Sequence, residues 1–340
     1  MYHPINNAQA KTVIDAEQVF SAYCDTVAKA RAYHGGMHWK SIGGRDYLYR
    51  SLDRNGRAKS LGPRSEETEA VLSAFVTRKA ELTERTAELK ERVAVQAKVN
   101  AAFRVGHVPN EVADICEQLD KAQMLDRNVM VIGTNAMHAY EALTGVRFAS
   151  DIMATVDLDL LWNHNSKLSL ATTHAVEETG LLGLLKKADK TYEIKQGQAF
   201  RAISSKGYMV DLIRQMPDPP WADEPDRFFQ DDMVATDIFN MKWMLGAPRI
   251  VQPAIALNGR VFNMSAPDPR AFAMFKLWLS QADDREPQKK LRDAAQATAV
   301  IRLIEDRLPH LAMKWDALKS FPSNVTEMAM EQVVRERQRS

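Results

Sequence analysis

Asp157 and Asp159 stand two residues apart in Thr155-Val156-Asp157-Leu158-Asp159-Leu160-Leu161-Trp162, an otherwise apolar run. In a strand, positions i and i+2 leave the same face. This spacing therefore sets two carboxylates side by side and turns Val156, Leu158 and Leu160 toward a core. Like charges that close repel and raise a pKa unless a cation holds them, and a divalent metal does so. Taken alone, the pair also fits a solvent-facing strand edge. A third acid, Asp211, sits in Tyr208-Met209-Val210-Asp211-Leu212-Ile213, where a carboxylate among apolar neighbours needs a partner. Three carboxylates on neighbouring strands suit two-metal phosphoryl chemistry. One ion activates an attacking hydroxyl, and the other neutralises a triphosphate and its leaving group.

Phosphate needs its own cradle. Val129-Met130-Val131-Ile132 reads as a buried strand, broken by Gly133-Thr134-Asn135 before a helix over 136–143. Backbone N–H groups at such a turn, with the Thr134 hydroxyl beside them, favour phosphate oxygens. Strand–Gly–helix turns are common; the pairing with an acid-x-acid strand one element later gives this one meaning. Downstream, Lys276 lies on one helix line with Phe272 and Leu279, and Arg285 and Lys290 follow it. These cations either reach a triphosphate or form an ordinary charged helix face beside Asp283 and Glu286.

The elements that must position these groups read as a mixed α/β chain. A short amphipathic helix is expected over 16–30. A small β-hairpin follows, built from Tyr47–Arg50 and a strand near 58–61 around Asp53-Arg54-Asn55-Gly56. Ser65 caps a long helix to about residue 97, with an apolar seam at Phe75, Leu82 and Leu89 that favours an intramolecular strut over a coiled-coil dimer. Pro109 opens a helix to about 125. Residues 172–186 look helical, strands 199–204 and 208–213 turn at Lys206-Gly207, and strands 250–257 and 261–264 turn at Asn258-Gly259. Helices dominate after Pro269. The expected organisation is an N-terminal region over 1–126, an α/β core over 127–215 and a mainly helical C-terminal region over 216–340 that closes the nucleotide cleft.

Bulk properties exclude little. The 340 residues carry a net charge of +1, so no global field argues for a nucleic-acid partner. Locally, Arg50, Arg54 and Arg57 interleave with Trp39, Tyr47 and Tyr49 in a basic, aromatic stretch over 31–64. RNA contact uses that composition, and so does a solvated hairpin docked by its rings. Cys24 and Cys116 lack metal-ligand spacing and read as reduced, buried thiols; His34, His38, His138 and His164 show no ligand spacing either. With no leader and no apolar run long enough to span a membrane, a cytoplasmic protein is expected.

The series Gly133-Thr134, Asp157-Leu158-Asp159 and Asp211 resembles the nucleotidyltransferase pattern of the DNA polymerase β superfamily. The resemblance implies that Gly133 and Thr134 bind nucleotide phosphates. It further implies that Asp157, Asp159 and Asp211 hold Mg²⁺ or Mn²⁺, and that an NMP passes from an NTP to a hydroxyl. Asn135 departs from the small residues usual in that turn, which puts the phosphate grip in question. The stretches Tyr47–Arg50, Lys59–Gly62, Ala266–Phe272 and Lys276–Ser280, with Arg285, Lys289, Lys290, Asp293 and Gln296, look like a little-characterised bacterial nucleotidyltransferase-fold family. The last of these stretches is also similar to abortive-infection nucleotidyltransferase toxins. That likeness gives Lys276 a triphosphate role and makes RNA, with a tRNA 3′ end as one form, the first acceptor. A protein hydroxyl is the second, a cognate antitoxin is an expected partner, and a non-catalytic binding module is the reading from another class.

Overall fold

The computed structural model of the chain describes residues 2–51, 57–163, 180–221, 231–314, 316 and 318–339. His164, the whole 53–56 turn with Arg54, and the first half of the expected 172–186 helix lie outside them. Two compact units emerge: Lys11–Val105 with Gly259–Val261, and the remainder, Met1–Ala10, Gly106–Asn258 and Phe262–Ser340.

Strand β1, Tyr2–Pro4, precedes helix α1, Asn7–Arg31, which begins well before the expected residue 16. The Asn6 side chain accepts from the Gln9 amide at 2.9 Å and Gln9 answers to the Asn6 amide at 3.3 Å, a reciprocal cap that starts the helix in a polar stretch. The expected hairpin is a three-stranded antiparallel sheet, β2 (Met37–Ile42), β3 (Arg45–Ser51) and β4 (Ala58–Pro63). Its first strand is mostly exposed, with only Met37 and Trp39 half-buried on one face, too short an alternation to stand out. Helix α2, Glu66–Ala102, opens with Ser65 and Thr68 exchanging backbone amides at 3.2 and 2.9 Å. Phe75, Leu82 and Leu89 are buried along it, as the spacing predicted.

In the larger unit, helix α3 (Asn110–Lys121) leads to β5 (Val129–Ile132), a single turn at Thr134–Ala136 and helix α4 (Met137–Thr144). Strand β6 (Val146–Phe148) pairs with β1, and the short α5 (Ser150–Met153) precedes β7 (Asp157–Trp162). Helix α6 (Gly180–Ala188) and strands β8 (Glu193–Lys195), β9 (Gln198–Ile203), β10 (Met209–Gln215) and β11 (Thr236–Ile238) follow. Next come α7 (Met241–Leu245), β12 (Arg249–Ile255), β13 (Val261–Pro267), α8 (Pro269–Gln281), α9 (Pro287–Arg307) and α10 (Ser323–Arg339). One sheet runs β5-β7-β10-β9-β8, with β11 also on β10; β7 and β10 are parallel, and β5 and β9 flank them antiparallel. The fold is α+β, as expected.

Register in this sheet is fixed by burial. Leu158 and Leu160 are fully buried, each contributing about 1.5–3 kcal/mol, while Asp157 and Asp159 face the other way; Val156, expected to face the core with them, precedes the strand and is exposed. A one-residue slip would exchange the two sets, so the packing that holds β7 also aims its acids. Among the described residues no helix is long and apolar enough to cross a membrane. Cys116 is buried and Cys24 only partly so.

Candidate active site

Four strands place one residue each in a single register row: Ile132 on β5, Asp159 on β7, Asp211 on β10 and Arg201 on β9. Paired residues share a face, so Asp159 and Asp211 are lateral neighbours and Asp157 stands two positions before Asp159 on that face. The three predicted acids are brought together. Asp157 accepts a short hydrogen bond from the Thr155 hydroxyl. Asp159 is recessed, and burial first, then the Asp157 and Asp211 carboxylates, push its pKa up to about 7.

Gly133 closes one end of this row. Its φ is +65°, and a Cβ built there would lie 2.2 Å from Asp159 Oδ2. Only glycine admits both the backbone conformation and the carboxylate. Next to it, Thr134 is buried and its hydroxyl accepts from Gln296 Nε2 at 3.0 Å. The same amide donates to the Ile152 carbonyl at 2.7 Å, fixing the turn to helix α9. Asn135, the residue out of pattern, is buried, and its Nδ2 donates at 2.7 Å to the carbonyl of Asp157. It ties the turn to the strand carrying the acids.

Lys276 and Arg285 converge on one carboxylate. Lys276 Nζ donates to Asp293 Oδ1 at 2.7 Å and Arg285 Nε to Asp293 Oδ2 at 2.8 Å, with Asp293 wholly buried. Burial lowers the Lys276 pKa and Asp293 opposes the shift. The lysine charge also reaches Asp159, whose pKa it lowers. Lys290 is half-buried on α9, apart from this pair.

In the smaller unit, Arg50 donates to the carbonyls of Ala32 at 2.6 Å and His34 at 3.3 Å and lies 4.7 Å from the Phe75 ring centre. Arg64 lies over Trp39 and Lys40 over Tyr49, at 5.2 and 5.6 Å. Several rings thus already carry cations of the unit itself. Arg57 is exposed.

Residues 110–320 match the model of the family described as Nucleotidyltransferase. That span is well over half of the chain. The protein belongs to this nucleotidyltransferase family. No curated protein and no solved structure matches it.

In this nucleotidyltransferase three carboxylates, oxygen donors of the kind a hard divalent cation takes, share a face, and the turn at Gly133 is shaped around one of them. Arg201, absent from the predicted site, completes the row. Its Nε and Nη2 grip Asp211 Oδ1 and Oδ2 at 2.6 and 2.5 Å. Counting outward from a two-residue Lys206-Gly207 turn would set Ala202 opposite Asp211; the observed register is centred on Lys206, one position off, and brings Arg201 there instead. Gln296, quoted only for its family likeness, turns out to hold Thr134. A further cluster joins His107, from the segment before α3, to His138 and Glu141 on α4, with ligand atoms all within 4.8 Å of one another. It could hold a metal ion. It also satisfies Glu141 outright, since the carboxylate accepts from His138 Nδ1 at 2.9 Å, from the Phe148 amide at 2.6 Å and from His107.

Proposed function

We propose that this nucleotidyltransferase moves an NMP from an NTP to a hydroxyl on RNA, with Mg²⁺ or Mn²⁺ held by Asp157, Asp159 and Asp211. The observation that carries the reading is the shared face of those acids, closed at one end by Gly133 and Thr134. When bound, the divalent ions would lower the pKa of the attacking hydroxyl and offset charge on the triphosphate.

The chain's own groups would do the rest. Thr134 accepts from Gln296, so its hydroxyl proton is left to donate to a phosphate oxygen. Lys276, buried and paired with Asp293, would act through its charge, which reaches Asp159, and would help offset the negative charge growing on the leaving pyrophosphate. The acceptor oxygen bonds to the α-phosphorus, the bond to pyrophosphate breaks, and the hydroxyl proton passes to solvent. For the acceptor, the support is the sheet β2–β4, where Lys40, Arg45 and Lys59 are exposed. A tRNA 3′ end is one form of such an acceptor, and a role as a toxin or defence protein paired with an antitoxin would follow from it.

Incubation with each labelled NTP, Mg²⁺, and total RNA or a protein lysate tests this. Label in RNA supports the reading. Label confined to protein would move the acceptor to a protein hydroxyl, and no transfer with any NTP would leave a binding module.

A further inference from the structure

Arg201 is set where the proposed chemistry has no use for it as it stands. Both oxygens of Asp211 are taken by its fork, at 2.6 and 2.5 Å, and its remaining terminal nitrogen reaches Gln198 Oε1 at 3.3 Å. A bidentate fork of this kind occupies the in-plane lone pairs that a metal ion would also seek. It also holds a full positive charge where a dication would have to sit. Asp211 cannot keep this partner and be a full metal ligand. Arg201 keeps about a fifth of its side chain exposed, against a tenth for Asp211, so the arginine is the member with room to leave.

The row of the sheet says where it would go. Gly133 and Thr134 adjoin Ile132 at one end, Asp159 and Asp211 lie between, and Arg201 is at the other end. A triphosphate on the Gly133-Thr134 turn would then lie across the acids from Arg201, and an anion at the Arg201 end of the row would belong to the acceptor.

Resting on the metal-dependent reading above, we infer that Arg201 is the resident counter-ion of the metal site: it holds Asp211 until a divalent cation loads, then binds a phosphodiester of the acceptor strand. Metal and acceptor binding are then coupled through one side chain, and the coupling is reciprocal. Each strengthens the other. A nucleic-acid acceptor is favoured over a protein hydroxyl, because it brings the phosphate that the freed arginine needs.

The test uses the full chain, with Arg201→Gln, which keeps hydrogen-bonding capacity but no charge, and Arg201→Lys. Mn²⁺ binding without nucleotide is followed by calorimetry or electron paramagnetic resonance. Binding of a short single-stranded oligoribonucleotide is followed with Mn²⁺ and a non-hydrolysable NTP analogue. Arg201→Gln is expected to bind Mn²⁺ on the order of tenfold more tightly than the unaltered protein, because a competitor is gone. It is expected to bind the oligoribonucleotide on the order of tenfold more weakly, with partial recovery in Arg201→Lys. Its melting temperature should rise more on Mn²⁺ addition than that of the parent, which separates competition from simple loss of fold. Unchanged or weaker Mn²⁺ binding, or unchanged RNA binding, overturns the inference. Asp159→Asn keeps the two levels apart. If it loses Mn²⁺ while Arg201→Gln gains nothing, Arg201 alone has been misread. If it binds Mn²⁺ like the parent, the metal site itself is wrong.

Discussion

Gln296 donates to the Thr134 hydroxyl at 3.0 Å across 162 positions of sequence, and its side chain is wholly buried. This contact ties helix α9 to the Gly133-Thr134 turn. Because Thr134 accepts there, its own proton is left for another acceptor, which in the proposed reading is a phosphate oxygen. Gln296→Leu should raise KM for the NTP several-fold with a smaller change in kcat. It should also cost about 1–3 kcal/mol of stability through the unpaired Ile152 carbonyl. Steady-state kinetics over an NTP series, with melting as the control, checks the split.

Gly133→Ala tests the other side of that turn. The added methyl would lie 2.2 Å from Asp159 Oδ2 at a φ of +65°. Backbone strain of this type costs about 1–3 kcal/mol, and the displaced carboxylate should reduce transfer by two orders of magnitude or more. A folded variant with parental activity would separate the turn from the acids.

The acid-x-acid strand was legible because burial of Leu158 and Leu160 imposes a period of two on β7. Asp211 was legible as a charge in an apolar strand, and Val129–Ile132 as an unbroken apolar run. What stayed hidden depends on contacts between distant segments. Lys276 meets Asp293 only because α8 packs on α9, and Gln296 meets Thr134 only because α9 lies under the turn. His107 joins Glu141 from a segment with no ligand spacing of its own. Strand β2 was missed for a local reason: its apolar face is only Met37 and Trp39, cut short by Ser41 and closed at once by Gly43-Gly44.

Glu141 links the fold to pH. Burial alone would raise its pKa, but hydrogen bonds from His107 and His138 outweigh that and hold it below the usual carboxylate range; burial also keeps His107 below its usual value of 6.5. Both folded-state values are lowered. The stability they supply is therefore present above the unfolded values and lost as pH falls through the folded ones. The loss should begin below about 6.5 for His107 and continue below about 4.5 for Glu141. Glu141→Gln should melt at a lower temperature at pH 7 and show a flatter melting profile toward pH 4. A variant whose acid sensitivity matches the parent would remove Glu141 from that role.

Arg50 and the exposed cations of its sheet should separate in experiment. Arg50→Ala removes two carbonyl partners and a contact with Phe75, so its main effect should be a lower melting temperature. Replacing exposed Arg45 and Lys59 with Ala should leave melting unchanged and reduce the slope of RNA affinity against salt by about one per lost phosphate contact. An unaltered slope would make the sheet a structural module.

The acids themselves carry the central claim. Asp159 is flanked by Asp157 and Asp211 on one face, its pKa is pushed up to about 7, and loss of its charge relieves repulsion in the protein without metal. The most direct measurement is the initial rate of pyrophosphate release from an NTP at saturating Mg²⁺ by Asp159→Asn, with its melting temperature recorded alongside. The expected result is a loss of about a thousandfold or more, with melting equal to or above the parent's. A normally folded Asp159→Asn protein working within about tenfold of the parental rate, well short of the effect of losing a metal ligand, would contradict the assignment.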